Sequence, residues 1–309
     1  MANAEHLALL QWGTAKWNAW RSREPHITPD LSRADLSHRN LQGAHLQGVN
    51  LEGTDLSNAM LDEACLDRAN LSNVILNGAS LIAASAMQAK CTVASATQVN
   101  LSYANLQQSN WIGADLRGAQ LVETDLSQAN LVGINLFRAV LRGCDLSRAN
   151  LERANLIQAI AFDLTLVETQ FSRATLHEAN FSGNHLFRTD FSGASLRSAC
   201  FTGAYFCEVD FTGSDLYRAD MRWSRLVKVN FLEARLLEAD LRGASLLRSN
   251  LSYADLQDAD LRETCTTRIQ LDHVILSQAP GQFQRTSDDR CPMSRPETPN
   301  SASRKVSLP

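Results

Sequence analysis

The chain has 309 residues, with 29 basic against 33 acidic side chains and a net charge of −4, and it has no basic face of the kind that tracks a nucleic-acid backbone. No apolar run approaches 18 residues and the N-terminus has no signal-peptide core, so no membrane span is expected and a cytoplasmic location is. Seven cysteines (Cys65, Cys91, Cys144, Cys200, Cys207, Cys265 and Cys291) show no C-x-x-C spacing; an odd, scattered set suits a reducing compartment.

In chain order, residues 4 to 23 read as one amphipathic helix with Leu7, Leu10, Trp17 and Trp20 along one side. Pro25 and Pro29 end it. A helical cap over 1–28, plugging whatever follows, is the expectation.

From Leu31 to Leu276 every fifth residue belongs to one column, and 45 of its 50 members are Leu, Phe, Met or Trp. The exceptions are Ala86, Cys91, Ala96, Ala161 and Thr266. Two residues before each of these centres sits a small residue, such as Ala34, Ala44, Ala59 and Ala64. A period of five fits neither helix nor strand, so it describes a unit that turns a corner every five residues. Centre and small residue face inward by strand alternation, and the residue between them faces out. Of the 15 glycines, 13 sit two after a centre, which places a tight turn there. Arg138, Arg148, Glu168 and Glu178 share that position, so a positive φ is not expected at every corner.

The unit resembles that of the pentapeptide-repeat family, A-(D/N)-L-x-x, as in Ala34-Asp35-Leu36-Ser37, Ala149-Asn150-Leu151-Glu152-Arg153 and Ala239-Asp240-Leu241-Arg242-Gly243. The resemblance covers about 31–280. It implies an all-β solenoid, a right-handed quadrilateral parallel β-helix of about 12 coils of 20 residues, preceded by an N-terminal α-helix. Bacterial members often carry a similar N-terminal stretch. Folding four sides per coil stacks Phe171, Phe191, Phe211 and Phe231 on a first face and Phe181 on Phe201 on a third. The outward position before the first-face centre reads Asn110, Asn130, Asn150, Gln170, Asp190, Asp210, Asn230, Asn250, a column whose amides can bond from rung to rung. At strand spacing the rod is about 60 Å long.

Two stretches depart from the pattern. Three successive centres are small at Ala86, Cys91 and Ala96, so 82–99 is either a filled but irregular coil, with Trp111 above Cys91 closing the gap, or a projecting loop. Residues 281–309 lose the frame, turn rich in Ser, Pro and Arg, and are expected to be disordered. Nothing caps the last coil near Thr266, Ile269 and Leu271, which makes a homodimer through the C-terminal coil the expectation there.

No catalytic constellation stands out. The seven histidines never pair at metal-ligand spacing, and the carboxylates follow the outward phases of the repeat. Asp220, Asp240 and Asp260 stack two residues before Arg222, Arg242 and Arg262, two ladders that neutralise each other. A narrow solenoid filled by its centres leaves no substrate cavity, so neither enzyme activity, cofactor nor metal is expected. One outward column on the fourth face is apolar on consecutive rungs: Val167, Phe187, Cys207, Val227 and Leu247. Its neighbour reads Glu168, Arg188, Glu208, Lys228, Arg248. An apolar strip rimmed by charge suits a protein partner, whereas stacked β-formers also stabilise their own sheet. Two functions follow. The first is a non-catalytic scaffold presenting ladders to an unidentified protein partner. The second, implied by the family, is a DNA-mimicking modulator of type II topoisomerase (gyrase). Residues 31–280 hold 27 acidic and 21 basic side chains, interspersed, against about 35 charges on a duplex of that length, so mimicry is the weaker reading.

Overall fold

The computed structural model describes residues 2–281 and the backbone of 284–285. Each outward residue from Asp30 onward bridges its equivalent twenty positions on, in parallel, as in Asp30↔Asn50, Asp35↔Asp55, Asn40↔Met60 and His45↔Cys65, and the pattern continues to Asp255↔Ile275. These four series are the four sides of a parallel β-solenoid.

Five residues make a side because each of their backbone amides then finds a partner. Around Leu31 to Asp35, the centre Leu31 donates to Asn50 O (2.8 Å), the corner residue Arg33 to Glu52 O (2.9 Å), and Ala34 closes the turn onto Leu31 O (3.2 Å). On the next coil Asp55, just before its centre, donates back to Ala34 O (2.9 Å). The remaining amide, one after the centre, is taken by a side chain: Ser37 N–H donates to Asp35 Oδ1 (3.0 Å), and the same bond recurs at Ser57, Ser127, Glu152, Ser192 and Arg242. This is the physical content of Asp or Asn in the repeat. Where that position is Ser80, Ser85 or Ser95, the acceptor comes from the coil before. Asp62 Oδ1 takes Ile82 N–H and the Ser80 hydroxyl, Asp67 Oδ1 takes Met87 N–H and the Ser85 hydroxyl, and Asn77 Oδ1 takes Thr97 N–H and the Ser95 hydroxyl.

The corners correct one expectation. Every corner residue from Arg33 to Gln278 has a positive φ, Arg138, Arg148, Glu168 and Glu178 included (55°, 58°, 55° and 57°). The left-handed region costs a non-glycine residue roughly 1–2 kcal/mol. Here most corner amides gain a bond to the next coil, and in most turns the following residue closes onto the centre.

The core is the centres and small residues, nearly all buried. Phe171, Phe191, Phe211 and Phe231 stack with centroids 4.9, 5.1 and 5.2 Å apart and planes within 6°, and Phe181 stacks on Phe201 at 5.5 Å. Edge contacts such as Phe181–Phe191 at 6.3 Å join the two columns. Where the small position is Thr54, Thr124, Thr169 or Thr264, its hydroxyl donates to a centre carbonyl of the coil before, whereas the buried Ser214 hydroxyl has no partner. The amide ladder holds at Asp30–Asn50–Asn70 and at Asp210–Asn230–Asn250, with bonds of 3.1 to 3.2 Å; Asn110 and Asn130 instead accept their local amides. At Ala161 centre and small residue exchange sizes: Leu164 is buried beside it, and Asn184 Nδ2 donates to Ala161 O while its Oδ1 takes Leu164 N–H.

The loop expected as one option at 82–99 is absent. Bridges Ser80↔Asn100 through Ser95↔Asp115 continue the frame, Ala86, Cys91 and Ala96 are buried, and Trp111 is buried one coil above Cys91 with its indole N–H on Ser109 Oγ at 2.9 Å. The N-terminal stretch is two helices, α1 (Ala4–Gln11) and α2 (Thr14–Arg23), not one. Gly13 breaks it, with φ +104° at the N-cap of α2. The pair supplies what a preceding coil would: Asn3 N–H donates to Asp30 O, Trp17 Nε1 to His45 O, and Asn18 brackets Gly43 O and His45 N–H.

At the other end, β6 (Cys265–Thr267) pairs with β7 (Gln284–Arg285), and Leu261 N–H donates to Pro280 O, so the edge expected to be uncapped is covered on two sides. Gly281 makes this possible, since a Cβ there would lie 2.7 Å from Arg262 N. The rest of the tail expected to be disordered lies outside the described residues. Cys265 is disulfide-bonded, whereas Cys65, Cys91, Cys144, Cys200 and Cys207 are free.

Among the corners Val93 is the least suited, β-branched and 61% exposed at φ +56°. Val93→Asn should raise the urea midpoint at unchanged slope, a gain of about 0.5–1 kcal/mol; a lowered midpoint would mean that the left-handed corner does not strain Val93.

Candidate partner-binding face

On the fourth face the strand lengthens to three residues where the outward column becomes β-forming. Strands β1 (Thr165–Val167), β2 (His185–Phe187), β3 (Tyr205–Cys207), β4 (Arg225–Val227) and β5 (Ser245–Leu247) lead in parallel to β6. Their register brings Val167, Phe187, Cys207, Val227 and Leu247 side by side. Phe187 is 36% exposed and the other four are half-buried, so the row is partly screened. The Arg188 guanidinium lies 4.8 Å over the Phe187 ring.

The charged column beside it alternates in sign from Arg148 to Lys228. Arg148 meets Glu168 at 3.0 Å, Arg188 meets Glu168 at 3.7 Å and Glu208 at 2.9 Å, and Lys228 meets Glu208 at 2.6 Å. Hydrogen bonds from Lys228 and then Arg188 hold the Glu208 carboxyl below the usual range. On the row's other flank stand His185, Tyr205 and Arg225, with the two rings 5.7 Å apart and Arg225 5.5 Å over Tyr205. Sequence reasoning left out this aromatic and cationic column, although its members recur every twenty residues just before the centres.

The third-face ladders interlock. Arg222 bonds Asp220 at 2.7 Å and reaches Asp240 at 3.7 Å; Arg242 bonds Asp240 at 2.5 Å and reaches Asp260 at 3.6 Å; Arg262 closes on Asp260 at 2.6 Å. Burial alone would raise the Asp220 carboxyl, but hydrogen bonds from the Arg222 side chain and backbone outweigh it and leave it lowered. Asp260 is lowered chiefly by its bond from Arg262. Among the described residues no group of three or more His, Cys, Asp or Glu could hold a metal ion, and no helix is long and apolar enough to cross a membrane.

These lowered carboxyls give a pH dependence with a definite sign. The folded chain binds fewer protons than the unfolded one near the unfolded values of 4.5 for Glu and 3.8 for Asp. Stability from Glu208, Asp220 and Asp260 is present above that range and lost as pH falls through the lower folded values. A thermal melting series should be flat from about pH 7 to 5 and fall below about pH 4, and Glu208→Gln should flatten part of that fall.

The pentapeptide-repeats family model matches in eight copies between residues 30 and 265. No curated protein matches the chain. Among solved structures, HetL of the cyanobacterium Nostoc sp. strain PCC 7120, a pentapeptide repeat protein involved in heterocyst differentiation regulation, is 30% identical over 84% of this chain and 92% of its own (TM-score 0.20). Rfr23 of the cyanobacterium Cyanothece 51142 is 22% identical over 44% of this chain and 90% of its own (TM-score 0.18). QnrB1, a plasmid-mediated fluoroquinolone resistance protein, is 19% identical over 62% and 94% (TM-score 0.21). With the repeat model spanning most of its length, the chain belongs to the pentapeptide-repeat family.

Proposed function

We propose that this chain is a non-catalytic scaffold whose fourth face, from Val167 to Leu247, binds a protein partner. The observation that carries the reading is the registered row itself. Five apolar side chains repeat at strand spacing over about 19 Å, between a charged ladder and an aromatic-cationic column. So narrow a strip suits a single helix or strand of the partner, and affinity would rest on Phe187 and Leu247 with the charges setting register.

The alternative, a DNA-mimicking modulator of type II topoisomerase, asks for a long run of unpaired carboxylates. Asp220, Asp240 and Asp260 are each tied to arginine, which does not favour it. For the C-terminal coil we propose a homodimer contact, since Ile275 and Leu276 remain 48% and 40% exposed.

Phe187→Ser combined with Leu247→Ser should leave melting within a few degrees of wild type and abolish capture of the partner that wild type enriches from cell extract, read by quantitative mass spectrometry. Equal enrichment by both proteins removes the fourth face from the reading, and inhibition of gyrase supercoiling at stoichiometric protein would install the alternative. Light scattering across a concentration series should give a dimer mass that Leu276→Asp returns to monomer; a monomer mass throughout would remove the C-terminal contact.

A further inference from the structure

Arg21, in the last turn of α2, is 6% exposed. Its Nη1 donates to Ile27 O (2.8 Å) and its Nη2 to Gln47 O (2.9 Å), tying the linker after the helix to the first coil. Nε has no hydrogen-bond partner and is sealed from solvent. Among the described residues Arg21 takes part in none of the ion pairs. A buried guanidinium without a counter-charge is expensive.

Beside it lies a cleft of about 520 Å³ between the linker and the fourth face of the first coils, lined by Arg21, Ile27, Cys65, Asp67, Arg68 and Met87 among others. That volume is within the range of small-molecule sites, about 300–1,000 Å³. The groups already present do not neutralise Arg21. Asp67 is engaged within the solenoid, its Oδ1 by Met87 N–H and the Ser85 hydroxyl and its Oδ2 by the Cys65 thiol at 3.7 Å. Burial pushes the Cys65 thiol up, so it stays neutral. Arg68, whose Nε donates to Gln88 Oε1 at 3.0 Å, adds a second cation.

We infer that this cleft binds a small organic carboxylate, its anionic end paired with the Arg21 guanidinium and its hydrocarbon part laid on Ile27 and Met87. The ligand supplies the counter-charge that the fold withholds. It also fastens the helical pair to the first coil, because Arg21 already holds both.

Cys65 reports occupancy in the full-length protein, with half-buried Cys200 and Cys207 as internal references. Iodoacetamide labelling is followed by peptide mass spectrometry at about pH 9, with hexanoate as probe at constant ionic strength. At about 10 mM, hexanoate should slow labelling of Cys65 roughly five-fold, as expected for millimolar affinity, and spare Cys200 and Cys207. Hexanol at the same concentration should not protect. Arg21→Gln should lose the protection; because it also removes two structural bonds, Met87→Glu, which leaves Arg21 in place and puts a carboxylate in the cleft, should lose it too with melting unchanged. Four results would overturn the proposal. They are no protection by hexanoate, equal protection by hexanol, protection spread over all three thiols, and protection by an acidic peptide but not by hexanoate.

Discussion

A backbone amide in this protein finds its partner on the adjacent coil or in its own corner, and the corner must sit in left-handed space for both to hold. The chain pays that conformational cost at every side, on arginine and glutamate as readily as on glycine. The return, at most corners, is a hydrogen bond from the corner amide to the next coil, with most turns closed by the residue that follows. Core shape, charge ladders and end caps all follow from a turn that recurs without slippage. The fifth amide, left over by this pairing, selects Asp and Asn before the centre.

Much of this was legible in sequence because it is periodic. The frame of five, the inward leucines and alanines and the phenylalanine columns are repeated signals, and repetition averages away single exceptions. What was not legible depended on conformation or on one residue. Glu178 in a corner does not advertise a φ of +57°, since left-handed backbone is uncommon for a residue other than glycine. Gly13 looked compatible with a continuous helix and instead divides it. The small centres Ala86, Cys91 and Ala96 left loop and coil open, because sequence cannot weigh a lost side chain against the bridges kept by staying in frame. The candidate row was visible as a column; the neighbouring His185, Tyr205 and Arg225 were not, for they share no chemical class. Arg21 gave no signal at all, since its burial comes from packing against a coil more than twenty residues away.

The surface ladders also set terms for recognition. Glu208 is shared by Arg188 and Lys228, and Asp240 by Arg222 and Arg242, so any ligand that recruits one of these charges competes with an internal partner. Exposed pairs of this kind contribute little stability each, typically under about 1 kcal/mol. Their greater effect is to set which charge patterns can approach each face and how strongly salt interferes.

Asparagine and tryptophan side chains of α2 take the place of a preceding coil, and this fixes the angular origin of the rod. Chain length then acts as a protractor. Removing one side of five residues between α2 and β1 would preserve core and corners on either side of the cut while rotating everything downstream by a quarter turn. Removing a whole coil of twenty would shorten the rod and leave every bearing unchanged. Insertions and deletions in this architecture therefore act as rotations, and the direction in which β1–β5 face relative to the helical end is written in the number of residues between them.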